Sequence, residues 1–146
     1  MNPRSRHLSV YRQLTDFSMR YLVFVYGTLR LGQRNDINLK TPQPLFVGMA
    51  KVKGQLYSRG WYPGIRLGGD QWVVGEVYDI SSELLAQLDV LEEVAPAPSG
   101  EYQRLNTVVV CGEKQLVCEI YELSSDFAKR SQLLDQGNWL AHAPHS

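Results

Sequence analysis

The sequence predicts an α+β fold: a small, mostly antiparallel, barrel-like sheet with one helix packed against it. Several short segments are apolar or alternate in polarity between turn residues, as strands do. Most connections between them are too short for parallel crossovers, which favours antiparallel pairing. One amphipathic segment instead shows the helical period. The 146 residues are about the length of one domain, which we assign to residues 21–146, with residues 1–20 as an N-terminal extension.

The first strand is predicted over Tyr21–Tyr26, which is apolar or aromatic throughout and therefore typical of a central strand. A long loop over residues 27–42 follows it. The next strand, Leu45–Tyr57, contains Gly48 and Gly54, and these glycines indicate a bend or a bulge.

Two further strands are predicted before the helix, a short one over Ile65–Leu67 and a longer one over Trp72–Ile80. Gly68-Gly69-Asp70 lies between them and predicts a turn. Ser81 or Ser82 then has the residue type of a helix N-cap, and Glu83 suits the positive end of the helix dipole.

After the helix, the strands Tyr102–Cys111 and Gln115–Leu123 are predicted to form a hairpin around Gly112. The tail is predicted to contain a short helix over Asp126–Leu134. Trp139 is interpreted as a core residue, although a tail that docks to a partner remains an alternative.

Composition excludes several classes of function. The 15 Lys and Arg residues balance the 15 Asp and Glu residues, and basic residues are not interleaved with aromatic ones, so nucleic acid is not an expected partner. No apolar run reaches the roughly 20 residues that span a membrane, and we expect a soluble, cytoplasmic protein. Two cysteines, Cys111 and Cys118, without clustered histidines predict neither a disulfide scaffold nor a metal site, and no cofactor is expected.

The helical segment SSELLAQLDVLEEV contains the first candidate for chemistry. At about 100° per residue, Glu92 falls in the apolar arc of the helix. Glu93 falls opposite, and Asp89 more loosely so. The negative end of the helix dipole and partial burial should both raise the pKa of Glu92, which suits proton transfer near neutral pH. A solvated or ion-paired glutamate is the alternative. The arc consists of Leu84, Leu85, Leu88, Leu91 and Glu92.

The segment after the first strand is the second candidate. Gly27 lets the chain turn and lets a ligand approach the backbone closely. The exposed N–H groups of such a loop can hold a carboxylate or a developing oxyanion. The loop is neither a Walker loop nor a GxGxxG motif. An ordinary strand-to-loop turn is the alternative.

Four segments occur along the chain in the order VFVYGTLRLGQRN, GEVYDIS, LDVLEEV and EYQR. Together they resemble the gamma-glutamylcyclotransferase-like family over about residues 21–123, with QGNW at residues 136–139 as a further match. The YGTL loop and the LDxLE helix end are specific when they occur together in this order.

The resemblance implies a barrel-like fold with a cavity beside the YGTL loop. It implies an enzyme that cleaves a gamma-glutamyl amine or amide and releases 5-oxoproline without a metal or cofactor. Arg104 accompanies Tyr102 in the YxR segment. The implied site residues are Glu92 as general acid/base and Tyr26, Gly27, Thr28, Leu29 and Tyr102 in substrate binding.

One position departs from the pattern, because the family usually has glycine where this chain has Glu93. The alternative function is a non-catalytic module that binds a small carboxylate-bearing metabolite. The amine attached to the glutamyl group and the oligomeric state are not specified by the sequence. Trp61 and Tyr62 either line the mouth of a pocket or cap the core, and Arg30 is expected to be a solvated loop charge rather than a ligand of a substrate carboxylate.

Overall fold

The structure is a computed structural model that describes residues 19–142. Most of the expected N-terminal extension therefore lies outside the described residues. The strands are β1 Arg20–Val25, β2 Leu45–Ser58, β3 Pro63–Ser81, β4 Tyr102–Cys111, β5 Lys114–Leu123 and β6 Gln132–Leu133. The helices are α1 Ser82–Leu91 and α2 Ser125–Lys129, with single 3-10 turns at Ile37–Leu39 and Trp139–Ala141.

Five of these strands form a closed ring, in the order β1, β3, β2, β4 and β5, and β6 adds to β2. The ring is antiparallel except where β5 meets β1 and β3. It closes through two short contacts, Lys51 with Val110 between β2 and β4, and Val23 with Glu119 between β1 and β5. The predicted α+β fold with a barrel-like sheet is confirmed.

The prediction of two separate strands around Gly68-Gly69-Asp70 is wrong, because β3 is a single strand. Its partner β2 is continuous there: Lys53 pairs with Trp72, and the next residue, Gly54, pairs with Leu67. Both glycines adopt positive φ, 98° and 92°. They let residues 68–71 bulge out of the pairing with β2, after which β3 pairs with β2 again. A sequence pattern alone does not distinguish such a bulge from a turn.

Helix α1 begins as predicted. The Ser81 hydroxyl accepts a hydrogen bond from the Leu84 N–H at 3.1 Å, which satisfies one of the free donors of the first turn. Leu84, Leu85 and Leu88 are buried against the sheet. Each contributes about 1.5–3 kcal/mol of transfer free energy, so packing fixes the rotation of the helix.

The predicted tail helix is too long. Helix α2 ends at Lys129, and Gln132–Leu133 instead pair with the end of β2. The Leu134 N–H then donates to the Leu56 carbonyl at 2.9 Å. The free edge of β2 offers hydrogen bonds that a continued helix would leave unmade, and Leu134 is buried there.

The tail is built into the core, as the interpretation of Trp139 required. Trp139 is 1% exposed and packs in a cluster of buried residues that includes Phe24, Leu56 and Ile120. The Val74 N–H donates to the Gly137 carbonyl at 2.9 Å. A Cβ atom at Gly137 would overlap the Trp72 carbonyl oxygen, so only glycine lets the tail approach β3 this closely.

The β4–β5 hairpin turns at Gly112, as predicted, with φ of 64°. Cys111 pairs with Lys114 and Cys118 with Thr107, so the two cysteines are not cross-strand partners, and both are free. Among residues 19–142, none of the helices is long and apolar enough to cross a membrane.

We expect Trp139→Ala to lower the free energy of unfolding by about 3–5 kcal/mol, because it empties a large buried volume. Urea unfolding measures the change. Trp61→Ala is the matched control, since Trp61 is 62% exposed and its loss should change stability by no more than about 0.5 kcal/mol. Equal effects of the two substitutions would contradict the placement of the tail in the core.

Candidate active site

A cavity of about 230 Å³ lies at the end of β1, between the turn before β3 and the end of α1. The sequence-predicted site residues all line it: Tyr26, Gly27, Thr28, Leu29, Glu92 and Tyr102. The other polar or aromatic side chains along its wall include Arg34, Trp61, Tyr62, Glu93, Glu101 and Tyr121. The structure thus brings together segments that are about 75 residues apart in the chain.

The loop after β1 lines this cavity and contains backbone donors that have no partner among the described residues. The carbonyls of Gly27, Thr28 and Leu29 each accept a hydrogen bond, from the N–H groups of residues 30, 35 and 37 at 3.0, 2.9 and 2.9 Å. Within residues 19–142, none of the three N–H groups of the same residues donates one. The Gly27 and Thr28 carbonyls share peptide groups with the Thr28 and Leu29 N–H groups, so their hydrogen bonds also fix these two donors. Consecutive unpaired backbone donors of this kind can accept an anion.

Gly27 is required by a close contact. A Cβ atom at this position would lie 2.5 Å from Pro63 Cγ and 2.8 Å from Pro63 Cδ. The loop therefore packs its backbone directly against the ring of Pro63, the first residue of β3.

Arg30 contradicts its predicted role as a solvated loop charge. It is 3% exposed, and its Nε donates to Glu76 Oε2 at 2.6 Å. Glu76 Oε1 accepts two more hydrogen bonds, from the Leu31 N–H and the Tyr78 hydroxyl, each at 2.9 Å. Arg30 Nη1 donates to Asn138 Oδ1 at 3.1 Å. The sequence could not indicate this ion pair, because Glu76 lies on β3.

The hydroxyl groups of Tyr26 and Tyr102 are hydrogen-bonded to backbone groups of the protein. Tyr26 donates to the Tyr121 carbonyl at 2.7 Å and accepts from the Ile65 N–H at 3.2 Å. Tyr102 donates to the Pro63 carbonyl at 2.6 Å. Burial raises the pKa of both phenols far above the ordinary value. They therefore stay protonated. Both side chains form part of the cavity wall that a ligand would contact.

Helix α1 ends in a Schellman motif around Glu92. The Glu93 N–H donates to the Val90 carbonyl at 3.1 Å, and the Val94 N–H donates to the Asp89 carbonyl at 2.8 Å. Glu93 occupies the left-handed position of the motif, with φ of 56°. This position favours glycine, which gives a physical reason for the glycine expected there from the resemblance.

Glu92 is partly buried, and burial is the main cause that raises its pKa from 4.5 to about 7. The negative charges of Glu101 and Glu93 raise the pKa further, while Lys40 lowers it. In the part of the chain that the structure describes, the Glu92 carboxyl group has no hydrogen-bond or ion-pair partner. It can therefore gain or lose a proton near neutral pH at the cavity wall.

Asp89 was expected to face loosely outward, and this prediction is wrong. It is 8% exposed. Arg104 Nε donates to Asp89 Oδ1 at 2.9 Å and Arg104 Nη2 donates to Asp89 Oδ2 at 3.2 Å. The Tyr121 hydroxyl donates to Oδ1 at 2.7 Å. Helical periodicity cannot identify a partner on a neighbouring strand, although Arg104 in the YxR segment was a signal.

Sequence reasoning also missed Glu101. Its Oε2 accepts hydrogen bonds from the Tyr62 hydroxyl at 2.7 Å and from Arg59 Nε at 3.0 Å. Its position directly before Tyr102 was the available signal.

Trp61 lies at the mouth of the cavity, with the Arg34 guanidinium 4.8 Å from its ring centre. Of the two alternatives for Trp61 and Tyr62, the structure therefore supports the one in which they line the pocket. Among the described residues, no group of three His, Cys, Asp or Glu side chains could hold a metal ion.

Known proteins resemble this chain over most of its length. The model of the family described as gamma-glutamyl cyclotransferase, AIG2-like, matches residues 23–141. A Vibrio cholerae protein with the provisional name gamma-glutamylcyclotransferase is 39% identical over 121 residues, 83% of this chain and 96% of that protein. The gamma-L-glutamyl-butirosin B gamma-glutamyl cyclotransferase of Niallia circulans is 43% identical over 72 residues, 49% of this chain and 45% of that protein.

Solved structures support the fold independently. The crystal structure of an AIG2-like protein from Mus musculus superposes with a TM-score of 0.66 at 23% identity, covering 80% of this chain and 87% of that chain. The chain belongs to the gamma-glutamylcyclotransferase family of enzymes. The assignment of residues 21–146 to one domain stays a prediction.

We expect Glu92→Gln to stabilise the protein above pH 7. A carboxyl group whose pKa is raised by folding stabilises the folded state below its unfolded pKa of about 4.5 and destabilises it as pH rises through 7. The variant should exceed wild type by about 1–3 kcal/mol at pH 8 and match it near pH 4.5. Urea unfolding across pH checks this, with Glu83→Gln, an exposed substitution in the same helix, as the control.

We expect Glu93→Gly to raise the free energy of unfolding by about 0.5–1 kcal/mol, because glycine adopts the left-handed conformation without a Cβ clash. Unfolding at pH 5, where Glu92 is protonated, isolates this backbone effect. Glu83→Gly, inside the regular helix, should instead lower stability by about 1 kcal/mol. A loss of stability in both variants would contradict strain at Glu93.

Proposed function

We propose that this enzyme is a gamma-glutamyl cyclotransferase that cleaves a gamma-glutamyl amine or amide and releases 5-oxoproline. One observation carries the proposal: the carboxyl group of Glu92, with a pKa of about 7, and the free N–H groups of residues 27–29 line the same cavity. The first can move a proton, and the second can hold an oxyanion, which are the two tasks of this cyclisation.

The proposed reaction is intramolecular. The α-amine of the gamma-glutamyl group attacks its own side-chain carbonyl carbon and forms a five-membered ring. The carbonyl oxygen becomes an oxyanion, which the N–H groups of Gly27, Thr28 and Leu29 stabilise. The bond to the leaving amine then breaks and the carbonyl is restored.

Glu92 balances the protons in this scheme. It removes a proton from the α-ammonium group, which cannot attack while protonated. The attacking nitrogen loses a second proton as the ring forms. Glu92 passes both protons in turn to the leaving amine, which departs as an ammonium ion, and the carboxylate is regenerated. The cavity also holds the substrate so that nitrogen and carbonyl carbon meet, which lowers the entropic barrier. Tyr26 and Tyr102 act as walls that shape the glutamyl site. The scheme needs no metal or cofactor, as the sequence-based prediction has it, and a cytoplasmic location stays a prediction.

The named activity of the Niallia circulans relative supports a gamma-glutamyl substrate. The leaving amine is a separate question, because it would extend toward the mouth at Trp61 and Arg34. A panel of gamma-glutamyl amino acids and gamma-glutamyl amines therefore has to be tested.

We expect the wild-type enzyme to release 5-oxoproline from at least one substrate of this panel, with a rate that rises with pH through about 7 as Glu92 loses its proton. Glu92→Gln should lower the rate by roughly two or more orders of magnitude, the usual effect of losing a general base. Chromatographic quantification of 5-oxoproline measures both.

Glu83→Gln is the matched control, because Glu83 is exposed on the first turn of the same helix and should leave the rate unchanged. Equal rates for Glu92→Gln and wild type would remove Glu92 from the mechanism. Tight binding of panel compounds without any product would favour the alternative of a binding module.

A further inference from the structure

Four side chains connect the last turn of α1 to the β4–β5 hairpin, and we call them the Asp89 clamp: Asp89, Arg104, Glu119 and Tyr121. Arg104 holds both carboxylate oxygens of Asp89, at 2.9 and 3.2 Å. Its Nη1 also bonds to Glu119 on β5, and the Tyr121 hydroxyl adds a bond to Asp89 at 2.7 Å. The helix is thus tied to two neighbouring strands.

The clamp lies one helical turn before Glu92. Three residues correspond to a rise of about 4.5 Å and to nearly the same face of the helix. The Asp89 carbonyl accepts the Val94 N–H at 2.8 Å, and the Glu92 N–H donates to the Leu88 carbonyl at 2.8 Å. Asp89 is therefore fixed through its side chain and through its backbone carbonyl. The two backbone hydrogen bonds hold the chain directly before and directly after Glu92.

Glu92 has no such support of its own. In the described part of the chain its carboxyl group has neither a hydrogen bond nor an ion pair. The charged groups that act on it are Glu93 from the same helix end, Glu101 from the segment before β4 and Lys40 from the loop after the first 3-10 turn. Its placement against the cavity therefore depends on the helix that carries it.

We propose that Arg104 is a positioning residue for Glu92, which it holds against the cavity through Asp89. The inference rests on the proposed function of Glu92. Arg104 itself touches no reacting atom. A guanidinium group suits the task, because its planar fork fixes a carboxylate in both distance and direction, which a lysine ammonium group cannot do.

The clamp has a consequence for acidity as well as for geometry. Burial is the first cause of the raised pKa of Glu92. A last turn released from the hairpin would admit water to the carboxyl group, and its pKa would fall toward the ordinary value. A shift of about 1 Å in a catalytic group lowers rates by up to roughly 100-fold.

The test compares Arg104→Lys with Arg20→Lys. Arg20 forms an ion pair with Asp79 of the same 2.9 Å length between β1 and β3, where it does not line the cavity. We expect Arg104→Lys to lower kcat about tenfold or more with little change in KM, and to move the pH at half-maximal rate below 7. Arg20→Lys should change neither.

Tyr121→Phe provides a second, milder variant, because it removes only the hydroxyl bond to Asp89 and keeps the ring in the cavity wall. It should shift kcat and the pH profile in the same direction by less. NMR titration of the Glu92 carboxyl carbon in each variant reads the pKa without activity. A pKa that falls in both variants, and more in Arg104→Lys, supports the inference.

The outcomes separate the two proposals. A lower melting temperature in Arg104→Lys and Tyr121→Phe, with an unchanged Glu92 titration and unchanged kcat, would overturn the positioning role and leave the proposed function intact. Absence of 5-oxoproline release by the wild type would overturn the proposed function, while the titration would still show whether the clamp holds Glu92.

Discussion

The buried ion pair between Arg30 and Glu76 is the interaction on which the site depends. Both side chains are almost fully enclosed, and Glu76 accepts hydrogen bonds from two adjacent residues of the loop after β1, Arg30 and Leu31, and from Tyr78 on its own strand. Breaking such a pair leaves a buried charge, at a cost of about 3–5 kcal/mol. Because Arg30 also binds Asn138, the same contact orders the loop after β1, the central strand β3 and the tail. The backbone donors at residues 27–29 have a fixed position for this reason.

The end of α1 contributes a different kind of group to the cavity. The loop offers unpaired N–H groups, whereas the end of α1 offers an unpaired carboxyl group next to two other acids, Glu93 and Glu101. Among the described residues, neither the N–H groups of residues 27–29 nor the Glu92 carboxyl group has a hydrogen-bond partner. A ligand that carries both an acceptor and a donor, as an amino acid amide does, satisfies both. The protein thus maintains a partly buried acid that its fold does not neutralise, and such sites reduce stability in exchange for function.

The sequence predicted those features that are local or periodic. The inward position of Glu92 followed from the spacing of the leucines in α1, and the hairpin at Gly112 from one glycine between two apolar runs. Arg30 and Asp89 were misplaced because their partners, Glu76 and Arg104, lie on strands whose neighbours are set only by tertiary structure. The course of β3 through Gly68 and Gly69 was misread for the same reason, since only pairing with β2 distinguishes a bulge from a turn.

The contact between Gly27 and Pro63 links the loop after β1 to the turn that carries Trp61 and Tyr62. The ring of Pro63 lies directly against the Gly27 backbone, so a change in the length of the turn would displace the backbone amides of the loop as well. The length of this turn and the position of the loop after β1 are therefore coupled in this chain. The aromatic ring of Trp61 is exposed at the entrance, so its exchange disturbs little of the framework.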